Sequence, residues 1–210
     1  MMTNRILAMV KPLALSVFAV AFFTLAQGVA RADEVTLTGT TSGTVTGVPQ
    51  LTFVGNAFTG STELGVGSLS GANRLGTFTL GLSNPSQLVA GSFTLDITFT
   101  APAGINGGQL TSYTATVTGS VAPAPNEGGV FITFNQPAGG TVFTFSDGTT
   151  TGSFTLTLAN LFVQSGQTAN LTAGFTGSQS TVPEPATMIL LGTGISGVAA
   201  VVRRRRKTAK

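Results

Sequence analysis

The chain has 210 residues, 42% of them hydrophobic, with no cysteine and no histidine. That composition lies outside the disordered class and excludes disulfide staples, thiol nucleophiles, His-dependent triads and the commonest metal ligands. The formal charge is +3, yet between Asp33 and Val182 a single arginine, Arg74, stands against six carboxylates, a net −5, which argues against a nucleic-acid-binding core.

In chain order, the first element is a leader. Arg5 and Lys11 precede an apolar stretch from Leu13 to Ala26, and Ala30-Arg31-Ala32 supplies an A-x-A site before Asp33. This is the pattern of a secretory signal peptide over residues 1–32, an apolar helix that the Sec machinery receives and signal peptidase removes after Ala32. The mature chain is expected to begin at Asp33.

Residues 33–181 read as an exported domain built of strands. "GSFTLDITFT" alternates Phe93, Leu95, Ile97 and Phe99 with Ser92, Thr94, Asp96 and Thr98, and "SYTATVT" from Ser112 and "GSFTLTLAN" from Gly152 alternate likewise. One apolar and one polar face per segment is strand chemistry, not helix chemistry. Further strands are expected at Glu34–Thr40, Leu51–Val54, Thr77–Leu82, Val130–Asn135, Thr141–Phe145 and Asn170–Thr176. Turn residues separate them, at Asn84-Pro85, 102–108, 123–129, 137–140 and Asp147-Gly148. The predicted fold is all-β, an antiparallel two-sheet β-sandwich, large enough to fold without disulfides or metal.

The pentads GTFTL at Gly76 and GSFTL at Gly91 and Gly152 resemble one another, but their unequal spacing fits similar strands and not a solenoid.

After the domain, Val182-Pro183-Glu184-Pro185 leads into an uncharged run from Ala186 to Val202, followed by Arg203, Arg204, Arg205, Arg206 and Lys207. As a helix the run spans about 26 Å, at the short end of membrane-crossing lengths. The basic cluster keeps the carboxyl end cytoplasmic and leaves the domain on the exported side. The two prolines fix their own φ and disfavour helix at Val182 and Glu184, so the motif is held extended, with Glu184 as a lone charged handle.

This three-part tail over 182–210 (motif 182–185, transmembrane helix 186–202, basic tail 203–210) resembles the PEP-CTERM sorting signal of Gram-negative bacteria that make an extracellular polysaccharide matrix. The resemblance implies that the chain is the substrate of an exosortase, which reads Pro183-Glu184-Pro185, cleaves near it and passes the domain to the cell surface or matrix. The same tail also resembles the C-terminal domain named after ice-binding proteins that carry it, a resemblance that concerns the tail and not the domain.

The domain's own chemistry is expected to be non-enzymatic and free of cofactors and metals. Its carboxylates are few, it has no lysine, and no D-x-D-x-D-G loop is present. Thr-x-Thr pairs such as Thr36/Thr38, Thr77/Thr79 and Thr155/Thr157 put hydroxyls on one strand face about 6.6 Å apart. They suit a solvated face, a glycan or exopolysaccharide contact, or an ice-binding plane, against which the irregular pentad offsets argue. The expected role is structural or adhesive, at the cell surface or in the matrix, after a transient stay at the inner membrane.

Overall fold

The computed structural model describes residues 34–181 and the pair Gly194 and Ile195. The leader with Ala30, Ala32 and Asp33, the motif Val182–Pro185, the membrane run 186–202 apart from Gly194 and Ile195, and the basic cluster Arg203–Lys207 lie outside the described residues. Among the described residues no helix is long and apolar enough to cross a membrane.

The domain is all-β. Its strands are β1 (Thr36–Thr46), β2 (Leu51–Gly55), β3 (Ala57–Ser61), β4 (Val66–Leu69), β5 (Gly76–Leu80), β6 (Gln87–Ala101) and β7 (Leu110–Val121). They continue with β8 (Gly128–Phe134), β9 (Thr141–Ser146), β10 (Thr150–Leu158), β11 (Leu161–Gln164), β12 (Thr168–Leu171) and β13 (Ala173–Thr181). A 3-10 turn, Gly71–Asn73, precedes β5. Arg74, the domain's basic residue, closes this turn, its guanidinium donating to the Gly71 carbonyl at 3.0 Å and to Thr77 Oγ1 at 2.9 Å.

All pairings are antiparallel, but they form three sheets where the sequence pattern predicts two. A six-stranded sheet runs β11-β8-β7-β6-β1-β3, a four-stranded one β4-β13-β10-β9, and a three-stranded one β12-β5-β2. The chain changes sheet at Thr172. Leu171 pairs with Gly76 in the three-stranded sheet, and Ala173 pairs with Leu69 and Leu158 in the four-stranded one. The segment expected as one strand over Asn170–Thr176 is therefore two.

The two smaller sheets share one face of the large one. On β6 the alternation turns Phe93, Leu95, Ile97 and Phe99 inward, all essentially buried. Phe93 meets Phe53 and Phe78 of the three-stranded sheet at centroid distances of 4.9 and 4.8 Å. Six residues on, Phe99 meets Phe143 and Phe154 of the four-stranded sheet at 5.6 and 5.5 Å. Most of these contacts are tilted or edge-to-face, the arrangement the ring quadrupole favours, each adding roughly 0.5–1.5 kcal/mol beyond area burial. Phe143 and Phe154 alone stack, at 16°. The buried aromatics and aliphatics of all three sheets form a single cluster.

Where strands give way to loops, hydroxyls complete the backbone pairing inside. Buried Thr62 accepts from the Val35 N–H at 2.9 Å, and buried Ser165 accepts from the Ala122 N–H at 3.0 Å. Each satisfies a donor that would otherwise be stranded in the core.

Candidate functional site

The outward face of the six-stranded sheet is a regular surface. Pairing register, not sequence repetition, aligns its hydroxyls into rows: Thr46, Ser92, Thr116 and Thr133 lie side by side across β1, β6, β7 and β8. The next rows are Thr44, Thr94, Thr114 and then Ser42, Asp96, Ser112. All of these side chains are exposed or half-buried. Strand spacing of about 4.8 Å and a two-residue step of about 6.7 Å set the mesh. The pentads lie on β5, β6 and β10, one in each sheet. They are similar strands, and their offsets have no bearing on the mesh, so the objection to a regular array drawn from those offsets does not hold.

Asp96 is the carboxylate of this face, and the Ser112 hydroxyl donates to it across the β6–β7 pair. At one corner Thr38, Thr40, Thr59, Thr100, Ala57 and Asn73 surround a shallow depression of about 400 Å³, with Thr38 and Thr100 sharing a 2.7 Å hydroxyl–hydroxyl bond. At the far edge the row of Ala90 and Thr118 ends in Phe131 and Phe162, whose rings lie 4.5 Å apart and remain 58% and 41% exposed. Neither corner is visible in the sequence pattern, because each depends on strands that pair from distant parts of the chain.

The remaining carboxylates are dispersed over separate elements. Glu34 precedes β1, Glu63 lies in the β3–β4 turn, Glu127 in the β7–β8 turn and Asp147 in the β9–β10 turn. Among the described residues no three His, Cys, Asp or Glu side chains are grouped as metal ligands. Asp147 forms the hairpin turn expected of Asp147-Gly148. The Thr150 N–H, the Thr149 hydroxyl and the Thr149 N–H all donate to its carboxylate, holding its pKa below the ordinary value. On the inner face of β7, burial pushes the Tyr113 phenol above its ordinary value, with the Thr141 side chain opposing. Its hydroxyl makes no hydrogen bond of ordinary geometry among the described residues.

β13 runs to Thr181, paired with Thr150 at the start of β10, so the sheet continues to the residue before Val182.

Residues 181–207 match the PEP-CTERM protein-sorting motif, and the chain thus carries that sorting signal from the last residue of its last strand onward. No curated protein and no solved structure matches the chain.

Proposed function

We propose that this exosortase-sorted, exported protein serves a structural or adhesive role at the cell surface or in an extracellular polysaccharide matrix. The observation that carries the sorting part is the motif match at 181–207, which begins on the last residue of β13. In this reading the signal peptide 1–32 delivers the chain for export. The run 186–202 then holds it briefly in the inner membrane, Arg203–Lys207 staying inside, and Val182–Pro185 is the segment the enzyme reads. The domain itself does no chemistry; the scatter of its carboxylates supports this, since acid–base catalysis needs such groups in mutual reach.

The adhesive part draws support from the surface. Hydroxyls, with the Asp96 carboxylate among them, hydrate the outward sheet face, so it suits a neutral polymer and does not attract nucleic acid or anionic lipid. Rows of donor-and-acceptor hydroxyls suit a polyhydroxylated partner, and the exposed Phe131–Phe162 pair offers an apolar platform for a sugar ring. The test is retention of the folded domain on the producing cells' exopolysaccharide. Binding that fades when Thr94, Thr114 and Thr116 are replaced by lysine supports the adhesive role, and indifference to those changes removes it. The same ordered mesh favours a second reading, an ice-binding plane, which thermal hysteresis of the purified domain would reveal.

A further inference from the structure

The sorting signal is attached to the domain with no spacer. Thr181 is still paired in the sheet, and Pro183 lies only two residues on, within about 7 Å even when fully extended. A membrane enzyme that must close around Pro183-Glu184-Pro185 would meet the sandwich itself.

β13 is built unequally along its length. Ala173 to Thr176 pair on both sides, with β10 and with β4, and Ala173 and Phe175 are buried. Beyond them the Gly177 N–H makes the last contact on the β4 side, to the Gly65 carbonyl at 3.0 Å. Ser178 to Thr181 pair with β10 alone, and none of their side chains is buried. Opening this end breaks one ladder and takes no buried side chain of its own out of the core, whereas going further would pull Phe175 from it. Local openings of this kind belong to the low end of the range found within folded proteins.

We propose that Ser178–Thr181 is a reserve of chain that the sorting enzyme draws out of the sheet to reach its motif, while Phe175 stops the unzipping and the rest of the domain stays folded. The inference rests on the sorting reading above. Four extended residues add about 13 Å of reach, enough to set the motif clear of the sheet end. The sheet thus sets how easily the substrate is taken, and Ser178–Thr181 become positioning residues for the cleavage.

The absence of cysteine makes a clean test possible. Thr151 and Ser180 are directly paired, at a separation that a disulfide can bridge. In the full chain carrying Thr151→Cys and Ser180→Cys, the fraction processed is followed in the cells that process the wild type. The oxidised form should be processed at least about tenfold more slowly, because the opening it needs is blocked, and reductant should restore the rate. Inserting about six Gly/Ser residues after Thr181 should also restore processing of the oxidised form, since it supplies the missing reach. Restoration by reductant shows that the substitutions themselves have not spoiled the fold. Equal processing of oxidised and reduced chains overturns the proposal, and so does a block that the insertion fails to relieve. A chain processed despite Pro183-Glu184-Pro185→Ala-Ala-Ala would instead sink the sorting reading, so the two failures are separable.

Discussion

Thr181, the last residue of β13, pairs with Thr150 at the first position of β10, so the four-stranded sheet ends where the sorting motif begins. The same strand is held on two sides at Ala173–Thr176 and on one side at Ser178–Thr181. Native-state hydrogen exchange should show this asymmetry directly. The amides of Ser178–Thr181 that face β10 are expected to exchange at least about a hundredfold faster than those of Ala173–Thr176, since only the latter require disruption of core packing. Uniform protection along β13 would contradict it.

Phe99 joins the two layers, touching Phe143 and Phe154 across the core and Phe58 within its own sheet. Phe99→Ala is expected to cost about 3–5 kcal/mol in denaturant unfolding, through lost transfer energy and the cavity left behind. Phe131→Ala removes a ring of similar size from an exposed position and should cost less than about 1.5 kcal/mol. Similar losses for the two would mean that the exposed pair supports the fold as much as the core does.

Two hydroxyls are predicted to act as internal caps. Ser165→Ala strands the buried Ala122 N–H and Thr62→Val strands that of Val35, each expected to destabilise by about 1–3 kcal/mol. Thr116→Val, on the outward face, is the comparison, and should stay within about 0.5 kcal/mol of wild type.

Stability should depend on pH where Tyr113 and Asp147 titrate, and with no histidine in the chain no imidazole contributes. Tyr113 has a phenol pKa raised above 10.0, so its contribution is complete below that value and is lost as pH rises through the folded-state pKa. Tyr113→Phe should flatten the alkaline limb of a stability–pH curve. It also removes a buried hydroxyl that makes no hydrogen bond of ordinary geometry among the described residues, so stability at neutral pH should hold or rise by up to about 1 kcal/mol. Asp147 behaves oppositely. Its depressed pKa makes its contribution present above the ordinary carboxylate value and lost as pH falls through the folded-state one, and Asp147→Asn should shrink that acid limb.

The strands that alternation exposes in the sequence are those with a full set of apolar residues on one face. β6, β7 and β10 are of this kind and occupy their expected places, β6 and β7 running past both expected ends and β10 starting earlier, at Thr150, and stopping at Leu158. The second half of β1 escapes notice because a glycine stands at its inward position. A Cβ on Gly43 would lie 2.5 Å from the Phe93 ring and 2.9 Å from that of Phe53, so neighbouring rings fill the space its own side chain would take. Short β4 hides in the same way, with Gly67 beneath the Phe175 ring.

The third sheet was illegible for a different reason. Ala169, Leu171, Ala173 and Phe175 keep an unbroken alternation of inward residues straight through the change of sheet at Thr172. Periodicity reports which face is buried and carries nothing about which neighbour a strand pairs with. The hydroxyl mesh and the Phe131–Phe162 pair depend on the same missing information, since both are made by register between strands. The sorting motif needed no register, because its three parts follow one another along the chain.

Sorting of this chain is tested most directly by the masses of the protein recovered from the cell surface and medium. Wild type is compared with Pro183-Glu184-Pro185→Ala-Ala-Ala. The predicted result is a mature form that begins at Asp33 and ends near Pro185 in the wild type only, with any added mass marking an attached glycan. An intact carboxyl end, still carrying Arg203 to Lys210 in both chains, would contradict it and make the tail a permanent anchor.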